Sequence, residues 1–278
     1  MSSFIIAFAM YSKIPMPKVT WNEKNMRYAI CYFPLIGVVI ALLEVVAYRL
    51  CEVLQCTPIL RGILLTVIPL LVTGGIHMDG FLDTVDARSS YGDRVKKLEI
   101  LKDPHTGAFA IIKGILYIIL QVGFFSEISW QGIVIYSWIF MLSRAMSGFA
   151  LANFRGAKKD GLLATFAKGA NKTVVTFTMV LYYVLGITGF VIAMVMKAPF
   201  MDTMGVDHFQ SMSQILLLIL LEMAVYGCTI LVFWYYHSFS YREFGGITGD
   251  LAGYFVQILE LVTLITIVII EKVWIWSL

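Results

Sequence analysis

Seven apolar stretches, each close to the length a helix needs to cross a bilayer, divide the chain. They run roughly Tyr28–Leu50, Ile59–Ile76, Ala108–Phe125, Gln131–Ala152, Val174–Met196, Gln214–Tyr236 and Leu251–Ile270. About 17–25 apolar residues span the hydrocarbon core as a helix. Leu, Ile, Val and Phe dominate these stretches, and none alternates strictly with polar residues, so helices rather than a barrel are expected. Charge is correspondingly scarce: 14% of residues are charged and 59% are hydrophobic, whereas soluble domains carry about 25% charged residues. The expected fold class is all-α, a polytopic integral membrane protein of about seven transmembrane helices. No repeat, low-complexity tract or linker interrupts it, so residues 1–278 read as one domain.

Phe4–Tyr11 is a short apolar run with Lys13 after it rather than before it. It reads as an interfacial or re-entrant segment, not a signal peptide. Cys31, Cys51, Cys56 and Cys228 form no CxxC and lie in or beside apolar stretches. They are expected to be buried small hydrophobes. A net charge of +3 gives no reason to expect a nucleic-acid partner.

Lys and Arg in the connections set the orientation. With seven spans, the N-terminus and the loops 77–107, 153–173 and 237–250 share one side. That side holds Lys13, Lys18, Lys24, Arg27, Arg88, Arg94, Lys96, Lys97, Lys102, Arg155, Lys158, Lys159, Lys168, Lys172 and Arg242, fifteen of the 21 basic residues. The other side holds Lys197 and Lys272, with Arg49 and Arg61 at span ends. The basic side is expected to be cytoplasmic. Every polar loop of interest lies on it, so the active site is expected there too.

The most polar of these loops runs from Gly74 to Gly107. Asp79, Asp83 and Asp86 stand at i, i+4 and i+7, which places them on one face of a helix. Three carboxylates on one face repel unless a cation lies between them. Oxygen-rich groups of this kind suit Mg²⁺ or Mn²⁺, which combine carboxylates with substrate phosphates. A solvated acidic face is the alternative; the adjoining span end and second polar cluster favour the metal. Gly80 leaves room for a ligand or another backbone. Asp93–Leu101 looks amphipathic, and Pro104 disfavours helix at Asp103. Asp103 can be a further metal ligand and Lys102 can meet a phosphate. His105 can act as an acid, a base or a loop cap.

Two further features lie on the same side. Arg144 falls inside the fourth stretch, beside Ser143 and Ser147. A charge within a span faces a cavity or a partner. Arg144 therefore meets either an anionic substrate or a carboxylate such as Glu222 or Glu260. The last connection, FGGITGDLAGYF, is Gly-rich, and Thr248 and Asp250 can cap the helix that follows. Such a turn can also cradle phosphate through backbone N–H groups, which makes Gly246, Gly249 and Asp250 candidates for contact with a nucleotide.

GGIHMDGFLDTVDA, then DRVKKLEILKDPHTGAFAI, then GGITGDLAG resemble the cobalamin synthase family, the adenosylcobinamide-GDP ribazoletransferases. FIIAFAMYSKIPMP and RGAKKDGLLATF resemble two further stretches of that family. The pattern departs at Ala87, where the family usually has Gly, and in the Arg88–Gly92 linker. The resemblance implies a Mg²⁺-dependent enzyme of the bacterial inner membrane. Its substrates would be adenosylcobinamide-GDP and α-ribazole or its 5′-phosphate, giving adenosylcobalamin or its 5′-phosphate plus GMP. Asp79, Asp83, Asp86 and Asp103 would hold Mg²⁺ across the diphosphate. Lys102, Arg94 and Arg144 would offset phosphoryl charge, and His77 would be the base or orient it. Gly246, Gly249, Asp250 and His105 would close the site around a nucleotide. Membrane lipid surrounds such a chain, and a homo-oligomer or a biosynthetic complex is left open.

Two enzyme families and a transporter are the rivals. CDP-alcohol phosphotransferases use DxxDG…AR; Asp83–Asp86 matches its first half, but the AR pair is misplaced. A prenyltransferase needs a second aspartate-rich motif that is missing. A transporter with a mid-membrane site needs more ionisable residues within spans than Glu44, Lys113, Arg144, Glu222 and Glu260 provide.

Overall fold

The computed structural model describes residues 1–158, 169–186 and 208–277. Helices begin where the sequence supplies caps. Thr57 Oγ1 accepts from the Leu60 amide at 3.3 Å, just ahead of α3, Pro58–Thr73. Asp93 Oδ1 accepts from the Lys96 amide at 2.9 Å, opening α5, Arg94–Ile100. Ser129 Oγ accepts from the Gly132 amide at 3.0 Å, opening α7, Trp130–Asn153. The other helices of ten or more residues are α1 (Ser2–Tyr11), α2 (Phe33–Val53), α4 (Ile76–Ser89), α6 (Ala108–Glu127), α8 (Lys172–Gly186), α9 (His208–Phe239) and α10 (Gly249–Ser277). Among the described residues there is no strand, only a parallel bridge between Gly156 and Ile247.

Five of the seven expected spans are described as whole helices, a sixth as a bent pair, and the seventh only in part. Among the described residues, five helices are long and apolar enough to cross a membrane: Glu23–Val53, which contains α2, then α6, α7, Ile219–Phe244, which runs from α9 through the π-helical turn Ser240–Phe244, and Gly249–Val273 within α10. The stretch expected as a second span stops at Thr73, and the chain turns by 95° into α4. Gly74 and Gly75 make that turn with φ of 64° and 78°, a left-handed geometry that costs side-chain-bearing residues energy. The 16 residues of α3 rise about 24 Å, short of a hydrocarbon core of about 30 Å. The stretch expected at Val174–Met196 is described only as far as Gly186; its remainder lies outside the described residues.

The helix at the centre is α7, buried along most of its length, with α2 and α10 packed on it. Its lining of Ile133, Tyr136, Ile139, Phe140 and Leu142 joins one continuous apolar core. By contrast, α6 turns Ile111, Ile112, Ile115 and Ile119 outward, as a lipid-facing helix does. The N-terminal α1 is too short to span. It buries Ile6 and Ala7 against Ala29, Ile30 and Ala145. All four cysteines are free; Cys31 and Cys51 are buried.

Candidate active site

The helix that carries the aspartates is built in two faces. His77, Gly80, Phe81, Thr84, Val85 and Ala87 are buried, and α10 is the main helix they pack on. Asp79 is exposed and Asp83 and Asp86 are partly so, along one stripe as the i, i+4, i+7 spacing requires. The helices meet at a pair of glycines. A Cβ on Gly80 would stand 2.8 Å from the Asp250 carbonyl oxygen, and one on Gly253 would stand 2.9 Å from the His77 carbonyl oxygen. Only hydrogens fit between the two backbones there. That approach brings Asp250, at the start of α10, to the aspartate stripe of α4.

The carboxylates feel one another. Asp83 is pushed up to about 6 by partial burial, then by Asp79, Asp250 and Asp86, because negative charges gathered in one place favour a proton on one of them. Asp86 Oδ2 accepts from the Gly107 amide at 3.2 Å, which ties the stripe to the start of α6. Asp103 is used elsewhere: its Oδ1 accepts from the His105 amide at 2.9 Å and lies 2.7 Å from His105 Nδ1. These hydrogen bonds hold the Asp103 carboxyl below its usual range. The cluster thus consists of Asp79, Asp83, Asp86 and Asp250, while Asp103 and His105 form a pair in their own exposed loop. Among the described residues no three acidic, His or Cys side chains close into a ready metal cage.

Beside the cluster lies a cavity of about 290 Å³ between α1, α4, α7 and α10. His77, Asp79, Lys158, Thr248, Gly249 and Asp250 line its polar part. The parallel bridge positions this wall: Ala157 donates to the Ile247 carbonyl at 2.8 Å, and Ile247 donates to that of Arg155 at 2.9 Å. Lys158 is thereby held close enough to Asp250 to offset its charge. Gly246, at φ 156°, lies so close to Arg155 that a Cβ would meet its carbonyl oxygen at 2.4 Å, so this glycine serves the bridge. Thr248 Oγ1 accepts from the Leu251 amide at 3.2 Å and caps α10. Gly249 has open space where a side chain would be and opens onto the cavity. His77 is 5% exposed and its Nδ1 has no hydrogen-bond partner. Burial, reinforced by Arg144, holds the imidazole well below its usual range and therefore neutral.

The cationic candidates fall away from this wall. Arg144 is 1% exposed; its Nη1 donates to Glu260 Oε1 and to the Phe140 carbonyl, both at 2.8 Å. Of the two readings of Arg144, the structure gives the ion pair with Glu260. Arg94 Nε donates to the Arg242 carbonyl at 3.1 Å on the exposed side of α5, and Lys102 is exposed. Arg88, read only for topology, is structural: it donates to the Tyr235 and Tyr254 hydroxyls at 2.7 and 2.9 Å and pairs with Glu243, which also binds Lys97 at 2.9 Å. Lys158 and the apolar cavity wall of Met10, Tyr11 and Phe33 were not read from sequence as site residues. Lys158 stood in a basic loop explained by topology, and RGAKKDGLLATF was its one signal.

Comparisons with known proteins agree along the chain's length. A family described as cobalamin-5-phosphate synthase matches residues 3–268. The adenosylcobinamide-GDP ribazoletransferase of Lachnoclostridium phytofermentans is 42% identical, over 100% of this chain and 97% of its own. Proteins of the same name from Clostridioides difficile and Clostridium botulinum are 29% identical over 96% and 97%, and 28% identical over 94% and 94%, of the two chains. No solved structure matches. With a buried helix pair that presents clustered aspartates beside a nucleoside-sized cavity, and a family match covering nearly all of its length, the chain belongs to the cobalamin-5-phosphate synthase family.

Proposed function

We propose that this chain joins adenosylcobinamide-GDP to α-ribazole or its 5′-phosphate, releasing GMP; its relatives carry the name adenosylcobinamide-GDP ribazoletransferase. The observation that carries the reading is the gathering of Asp79, Asp83, Asp86 and Asp250 beside the cavity. Phosphoryl transfer depends mainly on positioning and on neutralising charge, and an open carboxylate cluster answers both needs once it holds a divalent cation.

The residues fit Mg²⁺. Partial burial and then the neighbouring carboxylates raise Asp83, yet among the described residues the four do not close a cage of their own. Mg²⁺ prefers this arrangement, taking one or two carboxylates plus water and substrate phosphates. Asp79, Asp83 and Asp86 would hold it, with Asp250 beside them, and there it would supply positive charge against the diphosphate. Asp86 is held in place by the Gly107 amide. Lys158 offsets Asp250 and meets phosphoryl oxygens at the polar end of the cavity. His77, neutral and unpartnered at Nδ1, takes the proton of the ribose 3′-hydroxyl there. That oxygen forms its bond to the phosphorus bearing the cobinamide arm, and the bond from this phosphorus to the bridging oxygen of GMP breaks. The amide end of α10 at Gly249 favours negative charge at the polar end of the site.

In the cell, the positive bias of fifteen basic residues on one side supports a multi-pass protein of the bacterial inner membrane with this site facing the cytoplasm. The test is GMP release by the purified chain from adenosylcobinamide-GDP in Mg²⁺. Release that needs α-ribazole is expected, and release without it, or none with it, refutes the reading. Asp83→Asn is expected to abolish turnover; near-normal turnover would remove the metal assignment.

A further inference from the structure

We infer that the cavity between α1, α4, α7 and α10 takes the acceptor nucleoside base-first, and not the guanosine of the donor, an inference that rests on the transfer reaction proposed above. A volume of about 290 Å³ sits at the small end of ligand pockets, roughly 300–1,000 Å³. A corrin ring is far too large for it, so the occupant is one of the two nucleosides.

The cavity has two unlike ends. One end is made by Met10, Tyr11, Ile30, Phe33 and Leu151, the other by His77, Asp79, Lys158 and Asp250. An aromatic wall joins them: the Tyr11 and Phe33 rings are 4.4 Å apart, and the Phe33 and His77 rings are 5.7 Å apart, each pair tilted by about 35°. A flat base entering along this wall meets hydrocarbon and ring faces.

The chemistry of the two bases then decides. Guanine carries two donor groups and a carbonyl acceptor on one edge. The apolar end offers only the Tyr11 and Ser147 hydroxyls, too few to pair all of them, and burying unpaired polar groups weakens binding. The base of α-ribazole is a dimethylated benzimidazole with no N–H once glycosylated. Its burial is favoured by the hydrophobic effect and by ring contacts. With the base against Tyr11 and Phe33, the ribose lies towards His77 Nδ1 and the aspartates. The acceptor hydroxyl then sits where the proton acceptor is, and the donor diphosphate approaches along Asp83 and Asp86 from outside the cavity. Tyr11, Phe33 and Leu151 are therefore specificity-determining residues for the lower base.

The full chain in detergent tests this. Binding of α-ribazole alone is followed by benzimidazole fluorescence, with GMP as competitor, and GMP release is measured with each substrate varied in turn. Leu151→Trp, which fills the apolar end, and Tyr11→Leu, which removes a ring, are expected to raise KM for α-ribazole about tenfold or more while KM for adenosylcobinamide-GDP stays within about twofold. Tyr11→Phe, which keeps the ring, is expected to restore α-ribazole affinity, as simple misfolding would not predict. The inference is overturned if KM for the donor rises instead, if GMP displaces α-ribazole, or if neither KM moves. Absence of ribazole-dependent GMP release by the unsubstituted chain would overturn the reaction itself rather than the subsite.

Discussion

Removing one partner of the Arg144–Glu260 pair is expected to damage the protein far more than removing both. The Arg144 and Glu260 side chains are 1% and 2% exposed. Glu260 Oε1 also accepts from Ser143 Oγ at 3.0 Å. Breaking a buried pair costs about 3–5 kcal/mol because a charge is left uncompensated, whereas replacing both partners by apolar residues of similar volume is close to neutral. By soluble-protein scaling of about 2–4 °C per kcal/mol, the single variants lose roughly 6–20 °C of unfolding temperature. Arg144→Met is expected to be worse than Glu260→Gln. Gln keeps an oxygen that accepts from Arg144 and Ser143, whereas Met leaves the buried Glu260 carboxylate with the Ser143 hydroxyl alone. The double variant Arg144→Met, Glu260→Leu is expected to recover most of the lost stability, and to turn over within about tenfold of the unsubstituted chain. Thermal unfolding in detergent and ribazole-dependent GMP release on the folded fraction measure these two quantities. A double variant no more stable than the singles would refute the pairing argument. A stable double variant with turnover lost would show that the Arg144 charge reaches the substrate.

The α4–α10 crossing predicts that Gly80→Val, whose Cβ would overlap the Asp250 backbone, costs about 1–3 kcal/mol as overpacking and abolishes turnover by moving Asp250 off the aspartate stripe. Gly123→Ala in α6, where a Cβ meets nothing within 4 Å, is the control and is expected to be neutral or to stabilise by up to about 1 kcal/mol. Glu243→Gln weakens the hold on Arg88 and Lys97 by about 1.5–3 kcal/mol, and is expected to speed proteolysis of the Ser90–Asp93 connection before the rest of the chain. The raised Asp83 carboxyl sets a pH dependence: below pH about 6 its proton competes with a cation. The Mg²⁺ concentration for half-maximal turnover is expected to climb as pH falls through that value, and a flat response from pH 7.5 to 5.5 would contradict a ligand role for Asp83.

What sequence reveals here depends on how local the determinant is. The spanning helices are legible because hydropathy is summed over some twenty neighbours, and the aspartate stripe because i, i+4, i+7 spacing is a property of one helix. The bend at Gly74–Gly75 escapes hydropathy, since the apolar run continues through Ile76 and the turn is a matter of backbone φ alone. Asp250 joins the cluster only through the approach of Gly80 to Gly253, positions more than 170 residues apart in the sequence; its own neighbours suggested a nucleotide turn instead. Arg144 left two readings open because a buried cation demands a partner without naming it. Lys158 was hidden by a sufficient topological explanation, and the cavity's apolar wall by the ordinariness of aromatic residues in a membrane protein.

The bend and the crossing belong to one physical solution. Three carboxylates on a helix face are needed on a rigid frame, yet a helix that continued straight from α3 would have to carry them along its span axis. Turning the chain by 95° separates the two demands. If α3 stands near the bilayer normal, α4 lies near the membrane plane, with Phe81 and Val85 buried in the core and its aspartates directed to water. A helix in that position meets α10 at its N-terminal end, where Thr248, Gly249 and Asp250 line the cavity. The glycine pair then removes the last barrier to close approach, so the Asp250 carboxylate can stand with the others despite mutual repulsion. The helix N-terminus lowers that repulsion locally, and Lys158, delivered by the bridge from Gly156 to Ile247, lowers it further. The protein alone thus leaves the cluster incompletely neutralised, and partial burial with the neighbouring carboxylates keeps Asp83 raised.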